Sequence, residues 1–234
     1  MLFRKKKSIS AVPTLDLRQY TPEALNEIRS ISAVALILLP KNPSPEFVSA
    51  YAQIKKSAVA QELNVSADAT ISTINGSAFL NNNSAAPNSI YMVNGMLLAG
   101  MMDEDRNVSC IVNGTVILKK GSAIRPISVN GEVFEADFDE NNVIMFDNKL
   151  EIDQNFIRCA KQGVFVVVDN KIIIDKQVTE DEIIEKDIRF AVGNKIVCSK
   201  ELFGCIQNRA HVGNKIITHE EYYEFEKKKY GKNA

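Results

Sequence analysis

The chain has 234 residues, of which 45% are apolar and 24% charged, as in an ordinary globular protein of one large or two modest domains. Its formal net charge is −1, so no excess of positive charge points to a nucleic-acid partner. The longest apolar stretch, Ile31 to Leu39, is too short to span a bilayer and fits a buried strand, so we expect no transmembrane segment.

The first seven residues, Met1 to Lys7, are basic like the start of a signal peptide, but no sufficiently long apolar segment follows before Pro13. We therefore expect a cytoplasmic protein. Its few cysteines are expected to be reduced and structural, and no cofactor is predicted. They are Cys110, Cys159, Cys198 and Cys205. Cys198 and Cys205 are too far apart in sequence for a zinc knuckle, so no metal site is predicted either.

The segment after the basic start predicts two helix–strand units. Thr21-Pro22-Glu23 has a capping residue, a proline for the first helical position and an acid for the helix dipole, and Ser44-Pro45-Glu46 repeats the pattern. Ser57 to Ala60 echoes Ser32 to Ala35 at a step of 25 residues. This segment resembles the coils of leucine-rich-repeat proteins, whose apolar spacing is matched by Ile28, Ile31, Val34 and Leu36. The motif's ladder Asn or Cys is missing, so the resemblance implies architecture and no ligand or partner.

A bend made of Asn, Gly or Asp then recurs eight times, with its first residue at positions 75, 94, 113, 130, 147, 169, 193 and 213. The steps between them are 19, 19, 17, 17, 22, 24 and 20 residues, which indicates a solenoid or a series of hairpins. These residue types tolerate positive φ, so each repeat turns sharply at one place. Their side-chain amides could also stack from repeat to repeat as an internal ladder.

The residues beside each bend favour the solenoid. In a two-residue hairpin the residues flanking the turn share a face and should agree in polarity. Here the residue before the bend is always apolar, whereas the residue after it is mostly polar or charged. These following residues are Ser77, Met96, Thr115, Glu132, Lys149, Lys171, Lys195 and Lys215. A corner between two strands of a coil explains this difference.

We therefore predict a mainly β protein with short helices, built as a single-chain β-solenoid (parallel β-helix or leucine-rich-repeat-like coils) with helix–strand coils near both ends. Repeated antiparallel β-hairpins are the alternative. The predicted parts are a basic segment at 1–20, capping coils at 21–66, solenoid repeats at 67–218 and a charged C-terminal cap helix at 219–234. The predicted core is Val93, Val112, Val129, Phe146, Val168, Val192 and Val212. Aspartate at Val129 or Val168 should unfold the stack.

Further helices are predicted among the later, longer repeats. Thr179 and Glu182 have the spacing of a capping box, and residues 155–161 and 200–208 are weaker candidates. The last segment is acidic first and basic last, as a helix dipole prefers.

Four lysines occupy the same place in the last four repeats, so a regular stack would align them as a row about 4.8 Å apart. They are Lys149, Lys171, Lys195 and Lys215. Two readings remain open for this row: an edge that lysine keeps soluble, or a docking surface for an acidic protein partner. Asp147 and Asp169 are expected to offset two of the four charges.

The usual catalytic motifs are absent, and no catalytic residue is predicted. We expect a non-catalytic repeat scaffold or protein-interaction protein. The alternative is a carbohydrate-active or other hydrolytic enzyme that uses two acidic clusters. One contains Asp137, Asp139 and Glu140, and the other contains Asp103, Glu104 and Asp105. The short repeats and basic start also resemble bactofilins, which polymerise end to end, although their dense Gly-x-Val/Ile rhythm is missing and helical ends would block stacking.

Overall fold

The computed structural model describes residues 6–230, except for the side chains of residues 229 and 230. The chain is mainly β, with 46% strand and 22% helix. Strand pairing is parallel in every ladder among these residues, so the hairpin alternative is wrong. Residues 1–5 of the predicted basic segment and residues 231–234 of the predicted cap helix lie outside the described residues.

Among the described residues, those up to residue 69 form one compact unit and those from residue 70 onward form another. The first unit has one parallel sheet in the order β1-β2-β3, with a helix in each connection. Its elements are β1 (Lys7–Asp16), α1 (Pro22–Asn26), β2 (Ile28–Pro40), α2 (Pro45–Ala52) and β3 (Lys55–Val65). Both helices begin as predicted, because the hydroxyls of Thr21 and Ser44 accept the amides of Ala24 and Phe47 at 3.3 and 3.2 Å.

Strand β1 lies inside the segment that was predicted only as a basic start. All three strands bend at an alanine with positive φ: Ala11 at 57°, Ala33 at 52° and Ala58 at 51°. The serine before each alanine and the valine after it are in register across the sheet. The triplet at residues 10–12 is thus a third copy of the echoed Ser-Ala-Val pattern, which was visible in the sequence.

In the second unit, each repeat gives one strand to each of two sheets, and the Asn/Gly/Asp bend joins the two strands. We call such a pair of strands a rung. The strands are β4 (Thr70–Asn75), β5 (Ala78–Leu80), β6 (Ser89–Asn94), β7 (Leu97–Ala99), β8 (Val108–Asn113), β9 (Val116–Lys119), β10 (Arg125–Val129), β11 (Val133–Ala136), β12 (Val143–Phe146), β13 (Lys149–Ile152), β14 (Phe165–Val168), β15 (Lys171–Ile174), β16 (Arg189–Val192), β17 (Lys195–Cys198), β18 (Ala210–Val212) and β19 (Lys215–Thr218). The helices are α3 (Gln154–Cys159), α4 (Glu180–Glu185), α5 (Phe203–Arg209) and α6 (His219–Tyr230), and 3-10 turns lie at Glu104–Arg106 and Glu140–Asn142. The capping box of Thr179 and Glu182 is confirmed at the start of α4.

The eight rungs form two stacks, and the prediction of a single continuous one is wrong in this respect. Stack 1 contains the sheets β10-β8-β6-β4 and β11-β9-β7-β5, and stack 2 contains β12-β14-β16-β18 and β13-β15-β17-β19. The outer face of the second sheet of stack 1 packs against the outer face of the first sheet of stack 2, in an interface that we call the seam. Leu98, Ile117, Val167 and Ala191 lie at its centre.

Both stacks run in the same direction along the seam. At the first rungs, the amide of Ser77 donates to Asp147 Oδ1 at 2.8 Å, and at the last rungs the rings of Phe134 and His211 stack. The chain must therefore return past three rung spacings, about 14 Å, between residues 136 and 143. Six residues can span roughly 20 Å when extended, so this linker is long enough.

The predicted amide ladders are present, but they lie at the corners of the stacks, where most of the asparagines are exposed and Asn170 and Asn194 are partly buried. In stack 1, Asn94 Nδ2 donates to Asn75 Oδ1 at 2.8 Å. In stack 2 the ladder is complete, at 3.0, 2.9 and 3.2 Å, through Asn148, Asn170, Asn194 and Asn214. The glycines beside the stack 1 ladder bring the backbones close together. A Cβ at Gly114, where φ is 147°, would overlap the carbonyl of Gly95.

The predicted core residues divide according to their place in a stack. Those on interior strands are buried, namely Val93, Val112, Val168 and Val192. Val129 and Val212 lie on end strands and are only partly buried. Phe146 is 39% exposed, so its assignment to the core is wrong. It lies on β12, an edge strand with no further rung to cover it.

Candidate functional site

The four predicted lysines do form a row on the outer face of the sheet β13-β15-β17-β19. Lys149 pairs with Lys171, Lys171 with Lys195, and Lys195 with Lys215 in the strand register. Their neighbouring side chains inward on each strand belong to the stack 2 core, which fixes the lysines outward. We call Lys149, Lys171, Lys195 and Lys215 the lysine row.

Helix α6 lies against the middle of the lysine row, which the sequence did not predict. Lys171 Nζ donates to the Tyr222 hydroxyl at 2.6 Å and lies 4.7 Å from the centroid of that ring. Lys195 Nζ lies 5.0 Å from the ring centroid of Phe225. Both contacts are cation–π interactions, so these two lysines are contacted by aromatic rings and not by carboxylates.

The two ends of the row are more exposed. Lys149 pairs with Glu151 on its own strand, and this carboxylate raises the pKa of the Lys149 ammonium. Lys215 is exposed, and among residues 6–230 no carboxylate forms an ion pair with it. The row therefore keeps most of its positive charge.

The start of α6 is firmly anchored. Thr218 and Glu221 cap it reciprocally, because the Glu221 carboxylate accepts the Thr218 amide at 2.8 Å and the Thr218 hydroxyl accepts the Glu221 amide at 3.3 Å. The buried His219 donates from Nε2 to the Ile174 carbonyl at 2.9 Å. The helix therefore starts at a fixed place beside β15.

The expectation that Asp147 and Asp169 offset the lysine charges is wrong. Asp147 is exposed and accepts the amide of Ser77 from stack 1. Burial raises the pKa of Asp169, and the neighbouring Asp147 carboxylate raises it further. Each aspartate is at the corner, where the chain changes direction, so it does not share a face with the lysine two residues later.

The first acidic cluster is largely used to hold the linker between the stacks. Asp139 Oδ1 accepts the Asn141 amide at 3.0 Å. Glu140 accepts Asn81 Nδ2 at 2.9 Å and the Met101 amide at 2.7 Å, so it ties the linker to two rungs of stack 1. Asp137 remains exposed. The second cluster, at 103–105, is exposed and lies at a 3-10 turn.

An open groove of about 550 Å³ lies where the last rungs of the two stacks meet. Asp187 forms ion pairs there with Arg209 at 2.7 Å and Arg189 at 3.2 Å. These arginines hold the pKa of Asp187 below its usual range, with Arg209 the larger cause. Asp137 lines the same groove, so a single exposed acid from the first cluster faces it.

Cys198 and Cys205 are neighbours in the stack 2 core, but no metal site forms around them in the described part of the chain. Burial raises the pKa of Cys110 to about 12 and that of Cys198 to about 11, so neither is a thiolate at neutral pH. His211 lies in the seam beside Glu132, far from the anchor of α6 at His219. Over residues 6–230, no three His, Cys, Asp or Glu side chains form a set that could hold a metal ion.

A comparison with known proteins found no matching family model, no similar curated protein and no similar solved structure. The fold itself defines the class: a mainly β repeat protein of parallel sheets, consistent with a β-solenoid-like architecture. Within the part of the chain that the structure describes, none of the helices has the length and hydropathy needed to traverse a bilayer.

Proposed function

We propose that the chain is a non-catalytic repeat protein of the β-solenoid type, and that the lysine row is its docking surface for an acidic protein partner. The observation that supports this proposal most directly is the strand register, which aligns the four lysines in one column of one sheet. Strand spacing of about 4.8 Å is well inside the screening length of about 8 Å at physiological salt, so these charges repel one another. An acidic partner would relieve that repulsion.

Two further observations support this function over the hydrolytic alternative. Asp139 and Glu140 accept hydrogen bonds that hold the linker, so they are engaged in structural contacts. The groove beside Asp137 contains Asp187, which two arginines already neutralise. We also place the protein in the cytoplasm, because its four free cysteines suit a reducing compartment.

The test is charge reversal of the whole lysine row, with Lys149, Lys171, Lys195 and Lys215 each changed to Glu. Binding is measured to immobilised poly-L-glutamate at low and at physiological salt. We expect the parent chain to bind, and the row variant to lose at least about tenfold in affinity because the attraction becomes repulsion.

The matched control changes four exposed lysines outside the row, Lys41, Lys120, Lys161 and Lys200, to Glu. It carries the same change in net charge and should retain most of the binding. Thermal melts of both variants establish that they fold. Equal binding by the folded row variant and the parent would show that the row is not the docking surface.

A further inference from the structure

The contacts of α6 follow the spacing of the strands beneath it. Tyr222 lies on Lys171 of β15, and Phe225, three residues later, lies on Lys195 of β17. Three residues of helix rise about 4.5 Å, and neighbouring strands are about 4.8 Å apart. The helix therefore crosses the strands with one contact residue for each lysine.

The chemistry of α6 is that of a ligand for a basic surface. Its first part, Glu220 to Glu226, contains four glutamates and three aromatic residues. Glu220 forms an ion pair with Lys176 at 3.5 Å. Continuing in steps of three from Tyr222 and Phe225, the next residue of α6 is Lys228, and the next lysine of the row is Lys215. The complementarity between helix and row therefore ends at this step. The spacing thus brings two like charges to the same level, and both Lys215 and Lys228 are exposed.

Helix α6 has an exposed side and a side that covers the sheet. Tyr223 is 63% exposed and Phe225 is 49% exposed, whereas Val197 and Ile217, on the sheet face that α6 contacts, are 0% and 5% exposed. A space of about 440 Å³, lined by His219, Tyr222 and Tyr223 together with ends of β13 and β15, remains under its first turns. A partner helix that displaces α6 must cover Val197 and Ile217 in its place, because leaving these side chains in water would cost free energy.

We infer that α6 is a built-in competitor for the lysine row, and that the partner presents an acidic helix with aromatic residues at positions i and i+3 and an acid at i+6. This inference rests on the proposed docking function of the row and adds the chemistry of the partner and its control. The intrachain helix holds the site closed, and a partner helix with an acid in place of Lys228 binds better because it pairs with Lys215.

The test uses a labelled peptide with the sequence of residues 218–230, changed by Lys228→Glu, added to the full chain. Fluorescence anisotropy gives its affinity for three proteins: the parent, a double variant with Tyr222→Ala and Phe225→Ala, and the control Tyr223→Ala. The double variant loses both contacts to the row, whereas the control removes an exposed ring of the same helix. We expect the double variant to bind the peptide at least about tenfold more tightly than the parent and the control. A peptide with alanine at both aromatic positions should bind weakly to all three.

Equal peptide affinity for the parent and the double variant would overturn the competition by α6 and leave the docking function standing. Tighter binding that survives charge reversal of the lysine row in the double variant would instead contradict the docking function. A parent chain that elutes as a dimer, and a double variant that elutes as a monomer, would show that α6 of a second copy occupies the row and would overturn the partner-helix proposal. Melting temperatures establish that each variant folds.

Discussion

At the scale of single residues, two aspartates at the corners of stack 2 have different surroundings. Asp147 accepts a backbone amide, whereas Asp169 is partly buried and has its pKa raised by burial and by its neighbour. A carboxyl group whose pKa is higher in the folded state binds its proton more tightly there. Charged Asp169 therefore lowers the stability of the fold at neutral pH, and protonation restores it.

We predict that Asp169→Asn raises the free energy of unfolding at pH 7. The gain should shrink as the pH falls through the folded-state pKa of Asp169, and vanish below the unfolded value near 3.9, because both forms are then uncharged. Urea unfolding of both proteins between pH 3 and 8 measures this difference in the free energy of unfolding. The control is Asp103→Asn, at an exposed aspartate of the 3-10 turn whose side chain forms no cap hydrogen bond, and it should leave the stability nearly unchanged. A pH-independent difference for Asp169→Asn would contradict the argument.

The sequence could not reveal this behaviour. In the sequence, Asp147 and Asp169 precede Lys149 and Lys171 by two residues. On a straight strand, residues two apart lie on the same face. The bend lies between each aspartate and its lysine, and Asp147 bonds to Ser77 of the other stack. The corner itself was correctly predicted from its residue types, but the direction of each corner side chain depends on the second stack.

At the scale of elements, position within a stack decides how much each rung contributes. Val168 is fully buried between two neighbouring rungs, whereas Val129 lies on an end strand with one neighbour. The sequence predicts the same role for both, because the local pattern around each is the same.

We predict that Val168→Asp lowers the free energy of unfolding by about 4 kcal/mol or more, because it buries an unpaired carboxylate. Val129→Asp should cost only about 1 to 2 kcal/mol, since the carboxylate can reach water at the open end. Chemical denaturation of the two variants decides the matter. Equal losses would mean that the end of stack 1 is covered in solution.

Most elements with a strong local signal could be predicted. The caps at Thr21, Ser44 and Thr179 identified three helices, because capping depends on a few adjacent residues. The parallel rungs followed from the polarity on either side of each bend. Strand β1 was missed because its first residues are basic and polar, although the sequence Ser-Ile-Ser-Ala-Val at residues 8–12 is identical to that at residues 30–34 of β2.

At the scale of the second unit, the seam turns an outward position into a buried one. Met96 follows a bend and was expected to point outward with Ser77 and Thr115. It does so, but the outer face of its sheet packs on stack 2, and Met96 is 1% exposed.

We predict that Met96→Lys lowers the free energy of unfolding by about 3 kcal/mol, because it places an ammonium group in an apolar seam. Thr73→Lys is the matched control on the exposed outer face of β4 and should change stability by less than about 0.5 kcal/mol. Thermal or urea unfolding distinguishes them. Similar stability of the two variants would mean that the stacks do not pack on each other.

The division into two stacks had one visible trace in the sequence. The bends of the first four repeats read Asn-Gly, and those of the last four have Asn in second place, with the change between residues 130 and 147. No local sequence signal indicates that the second stack returns beside the first. That arrangement depends on contact between apolar outer faces that are far apart in sequence. For the same reason the lysine row could be predicted from its spacing, but not its contact with α6.

The parallel course of the two stacks constrains how such a molecule can change in length. Loss or gain of a single repeat in stack 1 would move Phe134 away from the level of His211 and leave one column overhanging. Only a coordinated duplication or deletion, with one repeat changed in each stack, would keep the two stacks equal in length. Homologues of different size should therefore differ by paired repeats, with the linker between the halves lengthened or shortened to match.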